Sequence, residues 1–139
     1  MAQYARQTYL DNEILHADPV RLIQMLYRGA LGSVTLSREA VRIGDIANRT
    51  RHITKASEIL NELSLAVDHE RGGTIAKDLV ELYDYMQRLL QQAQFHQTEE
   101  PLAEVAGLLS TLSDAWDRCV PAEMVSEDQR LAITRPLTV

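Results

Sequence analysis

The chain carries one cysteine, one Phe and one Trp in 139 residues, and aromatic residues make up 5% of it. With Cys119 alone no intrachain disulfide can form, and its neighbours supply neither a second thiol nor a base, so a reducing compartment fits. Four prolines and six glycines, mostly at junctions, leave long stretches free of helix breakers. Together with a hydrophobic content of 45%, that balance favours a helical globular protein over a sandwich or a disordered chain. No apolar run reaches the roughly 18 residues of a membrane span, and none follows a basic N-terminal region as in a secretory leader. Positive charge is also short: 14 Lys and Arg face 20 Asp and Glu, a net of −6. Residues 71–139 hold 11 acidic against 6 basic side chains, and a surface of that sign disfavours nucleic acid. A soluble cytoplasmic protein with neither nucleic-acid binding nor membrane insertion is expected.

What the chain has is helical period. Asp18 can accept from free first-turn amides and Pro19 suits the first helical position, so a helix starts there. Val20, Ile23, Tyr27, Ala30, Val34 and Val41 recur at steps near three and four and form a buried seam. About 100° round the helix, Leu22, Leu26, Leu36, Ala40 and Ile43 make a second stripe, with Gly29 and Ser33 between them, wide enough to hold another helix. A second helix runs from Ile46 to Asp68, with Asp45 as its cap and Ile53, Ala56, Leu60, Leu63 and Val67 as its seam. The turn His69-Glu70-Arg71-Gly72-Gly73 ends it. A third runs from Thr74 to Ala93 with Ile75, Leu79, Leu82, Met86 and Leu89 inward and Asp78, Glu81, Asp84 and Arg88 outward. A fourth follows Thr98-Glu99-Glu100-Pro101, carries Leu102, Val105, Leu109, Leu112 and Trp116, and stops before Pro121. Trp116 is read as a core plug at the bundle end.

Short connections make sequential helices antiparallel, so the expected fold is an all-α, up-down-up-down four-helix bundle over residues 18–119. Residues 1–17 and 120–139 are expected to be flexible segments outside it. Arg38, Arg42, Arg49, Arg51 and Lys55 gather near the first junction and are expected to form a solvated face.

Chemistry has little support. A di-metal bundle needs two Glu-x-x-His pairs and further carboxylates, and only Glu13-Ile14-Leu15-His16 matches. No phosphate-cradling loop, dinucleotide fingerprint or nucleophile elbow is present, and Glu58, Glu62, Asp78 and Glu81 fall on solvated faces. No enzyme activity, cofactor or metal is expected. The surplus is apolar instead. Leu22, Leu26, Ile59, Val80, Tyr83, Leu90 and Leu108 lie off the ideal seams, where they either line groove edges or are absorbed by a core wider than its seam, and Tyr27 and Tyr83 suit either a groove rim or a core edge.

The order of these features resembles the FliS type of flagellar export chaperone across residues 4–118. The resemblance rests on an early Tyr, Pro19-x-x-Leu22-Ile23-x-Met25-Leu26-Tyr27-x-Gly29-Ala30, Lys55-Ala56 with Ile59-Leu60-Asn61-Glu62-Leu63, Gly72-Gly73 with Ile75-Ala76, Leu82-Tyr83-x-Tyr85-Met86, and Ala115-Trp116. It implies a small antiparallel bundle that binds the C-terminal region of new flagellin in the bacterial cytosol. It further implies that this binding prevents premature polymerisation and supports delivery to the flagellar type III export gate. Arg28 departs from the family, which often has an acid there. On this reading Tyr4, Tyr9, Ile14, Leu22, Leu26, Tyr27, Ile59, Tyr83, Leu90 and Leu108 contact the partner, and the N-terminal segment is a candidate cap for the empty groove. The alternatives are a homodimeric bundle that pairs the surplus stripe with its own copy, and a helical adaptor or regulator for another client.

Overall fold

The computed structural model describes residues 19–118, and these form four antiparallel helices. They are α1 (Pro19–Ile43), α2 (Ile46–Leu65), α3 (His69–His96) and α4 (Glu100–Arg118). Each packs against its neighbours in sequence, and α4 closes the ring against α1, giving the up-down-up-down bundle.

The α1–α2 junction needs only two residues because each does two things. Gly44 takes φ 73°, and the Gly44 and Asp45 amides donate back to the Val41 and Ala40 carbonyls, closing α1 with a left-handed cap. Asp45 then caps α2 by accepting from the Asn48 amide at 3.1 Å and from its side chain at 2.6 Å.

The second junction lies earlier than its sequence indicates. α2 ends at Leu65, and Asp68 accepts from the Glu70 and Arg71 amides, so His69 to Gly72 open α3 rather than terminate α2. Gly73 interrupts that opening turn with φ 53° and ψ −123°, a conformation open to glycine and strained for other residues. The break leaves Ile75 70% exposed, which corrects its place on the inward seam. Ala76, Tyr83, Met86, Leu90 and Ala93 form the buried face instead, with Leu79 and Leu82 at its edge. α3 also passes Ala93 and ends at Gln97, whose left-handed φ of 56° stops it.

Within α1, Ile23, Tyr27, Ala30 and Val34 are buried as their spacing requires. The second stripe is divided. Ser33 and Ala40 are buried, and a methyl at Gly29 would sit 3.3 Å from Ile59 Cδ1, so this part of the stripe is where α2 packs. Leu36 and Ile43 stay exposed. Leu60, Leu63, Leu102, Val105 and Leu109 complete the core, each contributing about 1.5 to 3 kcal/mol through removal from water. Trp116 packs against that core while partly buried.

Candidate functional site

At the centre of the bundle, the Tyr27 and Tyr83 hydroxyls lie 2.5 Å apart and share a hydrogen bond between α1 and α3. Burial pushes both phenols above their ordinary range. At Tyr27 that rise is opposed by hydrogen bonds from Tyr83 and Trp116, whereas at Tyr83 the neighbouring Tyr27 adds to it. Both phenols stay neutral. They are core residues whose polar ends satisfy one another, so placing them at a groove rim is corrected; Ile59 and Leu90 are likewise buried. Leu22, Leu26 and Leu108 are half-buried, and the latter two pack against the core. Tyr4, Tyr9, Ile14, the Asp18 cap and the Glu13/His16 pair lie outside the described residues.

The basic cluster near the first junction is not a uniform solvated face. Arg38 and Arg42 converge on Glu99 at the start of α4, with the Arg38 Nε to Glu99 Oε1 distance 2.9 Å and the Arg42 Nη2 distance 2.5 Å. Hydrogen bonds from Arg42 and then Arg38 hold the Glu99 carboxyl below the usual range. Arg49 is buried and donates to Gln94 Oε1 at 3.3 Å.

The acceptor, Gln94, lines a feature that the apolar spacing did not reveal, an open groove of about 550 Å³ between α2 and α3. Its apolar lining is Ile53, Leu90 and Phe95, its polar lining Thr54, Ser57, Asn61, Gln87, Gln91 and Gln94, and its single charge Glu58. Ser57 donates to Gln87 Oε1 at 2.6 Å, Gln87 returns a bond to the Ser57 carbonyl at 2.9 Å, and Gln94 donates to Thr50 Oγ1 at 2.7 Å. These neutral bonds set the antiparallel register without filling the groove. Phe95 stands at the groove's end 82% exposed, touching only the His96 ring edge-on at 5.1 Å among aromatic neighbours.

Helix geometry carries the groove further than its deepest part. Ile46 lies seven residues before Ile53 and Leu65 four after Asn61, so both extend the α2 wall, and both are exposed. From Ile46 to Leu65 that wall is about 28 Å long. Of the described residues expected to meet a partner, only Leu90 lines it, as floor. Phe95, Ile46 and Leu65 could have been found as large apolar residues off every seam.

Among the described residues no group of His, Cys, Asp or Glu could hold a metal, and no helix is long and apolar enough to cross a membrane. What the groove presents is apolar contact points, neutral hydrogen-bonding groups and an open length.

Residues 1–123 match the family model described as flagellar protein FliS. The chain belongs to the FliS family. It is 36% identical over 124 residues to the flagellar secretion chaperone FliS of Salmonella typhimurium, covering 88% of this chain and 92% of that protein. It is 36% identical to FliSB of Pseudomonas aeruginosa, over 84% of this chain and 92% of the relative, and 31% identical to FliS of Bacillus subtilis, over 83% and 85%. The FliS resemblance seen in the sequence motifs thus extends over almost the whole length of these relatives.

Proposed function

We propose that this FliS-family bundle is a cytoplasmic export chaperone that binds the C-terminal region of flagellin, prevents its premature polymerisation and supports its delivery to the flagellar type III export apparatus. The observation that carries the reading is the open α2/α3 groove, with Phe95 exposed at its end and an unfilled floor of Ile53 and Leu90. Membership of a family whose relatives are named flagellar secretion chaperones supplies the class of client. A client segment that is unfolded when free can lay an amphipathic helix into such a groove and bury there the surface that would drive assembly. Ordering the segment consumes part of the interaction energy, which keeps the complex reversible at the export gate.

The test is seeded assembly of the organism's own flagellin with increasing amounts of this protein. Elongation should stop near one chaperone per flagellin, and flagellin lacking its C-terminal region should be immune to that effect and fail to bind. Unimpeded assembly at excess chaperone would overturn the reading. A self-association that buries Leu36 and Ile43 without any flagellin binding would put the homodimeric bundle in its place.

A further inference from the structure

The groove is unusual in what separates its apolar points. Thr54 and Asn61 on α2 and Gln91 on α3 line it with no hydrogen-bond partner among the described residues, and the one charge in its lining is the Glu58 carboxylate, with Arg51 and Lys55 outside the groove beside Thr54 and Glu58. A continuously apolar occupant would cover these three polar groups without pairing them, at a cost in affinity for each. A carboxylate-bearing occupant would face Glu58 on a protein of net charge −6. An extended strand would present a backbone donor or acceptor at every residue, far more than three side chains can satisfy, whereas a helix satisfies its own backbone.

We propose that the α2/α3 groove selects its client by hydrogen bonding: it takes a helix of about five turns whose contact stripe carries uncharged Asn, Gln or Ser between apolar anchors. The anchors meet Ile46 and Phe95 at one end, Ile53 and Leu90 in the middle, and Leu65 at the other end. The amides and hydroxyls between them meet Thr54, Asn61 and Gln91. This rests on the reading of the groove as the client site and adds which sequences it accepts. Gln91 and Asn61 are then specificity-determining residues, while Ser57 and Gln87, already paired with each other, hold the groove walls in register.

The experiment is fluorescence anisotropy of the full chain with labelled helical peptides of about 20 residues. They share the same apolar anchors and differ only between them, carrying Gln and Asn, Leu, or Glu. The amide peptide should bind about ten-fold more tightly than the Leu peptide, the effect of about one unpaired polar group, and more tightly still than the Glu peptide. Gln91→Leu and Asn61→Leu, both at exposed positions and checked for an unchanged melting profile, should each shift the preference toward the Leu peptide. Gln91→Ala removes the amide without adding bulk and should reduce the preference even if Leu disturbs the wall. Equal binding of the amide and Leu peptides, or a preference that none of the three variants moves, would overturn the proposal. A flagellin C-terminal segment run alongside separates the two readings: its failure to bind beside a discriminating groove overturns the flagellin assignment alone, and its binding without discrimination overturns the amide selection alone.

Discussion

The α1/α4 and α2/α3 interfaces are both polar, but they use different chemistry. Against α1, α4 is held by charge at its two ends: Asp117 to Arg28 at 3.0 Å at one, Glu99 to Arg38 and Arg42 at the other. The Gln24 side chain also donates to the Trp116 carbonyl at 3.1 Å. Across α2/α3 no ion pair is formed: amides and hydroxyls bond to one another, the Arg49 guanidinium donates to the neutral Gln94 amide, and an open groove lies along them. Ion pairs at exposed helix ends add little stability each, yet they orient and close a seam. Neutral amides hold a register while keeping the groove surface available to an uncharged partner. One interface is closed and the other carries an open groove.

Breaking the shared core should cost most. Leu60→Ala, at a fully buried position, should lower unfolding stability by about 2 to 5 kcal/mol in urea titration. Next comes the polar centre. Tyr83→Phe takes the α3 partner from the buried Tyr27 hydroxyl, leaving it the Trp116 side chain, and should cost about 1 to 3 kcal/mol. Adding Tyr27→Phe should then cost less than the sum of the singles, which a double-mutant cycle reads directly. Leu26→Asp belongs to the same group, since Leu26 packs on the core: the melting temperature should fall, so lost binding in that variant would not mark a surface contact.

The charged interface gives a smaller, pH-dependent effect. Glu99 is held below its ordinary value by Arg42 and Arg38, so its folded form releases the proton more readily than its unfolded form. The stabilisation is therefore fully present above the unfolded glutamate range and is lost as pH falls through the depressed folded value. Glu99→Gln should melt below the wild type at neutral pH, and the gap should close on acidification. A gap that stays constant with pH would assign the effect to something other than the carboxylate. Smallest for stability and largest for binding is the open interface, where Phe95→Ala should leave the melting curve unchanged.

Much of the fold was legible because seam periodicity and turn chemistry agree: Ile23, Tyr27, Leu60, Met86 and Leu109 are inward as their spacing demands, and Asp45 caps α2. The errors cluster where one residue overrides a pattern. Gly73 reads as a helix end but sits inside an opening turn, and it displaces Ile75 from the seam. Tyr83, Ile59 and Leu90 lie off an ideal two-residue seam, yet a four-helix core is wide enough to absorb them. The groove was harder to read, because its distinguishing residues are glutamines and a lone Phe at the end of α3. Amide side chains at helical spacing look like an ordinary solvated face until the second wall is in place.

The most direct test of the account is calorimetric titration of the full chain with the C-terminal segment of its own flagellin, wild type beside Phe95→Ala. The wild type should bind near one to one with a large negative heat-capacity change, and Phe95→Ala, equally stable, should bind at least about ten-fold more weakly. Equal affinity of the two proteins would contradict the α2/α3 groove as the client site, and no binding by the wild type would contradict the flagellin reading itself.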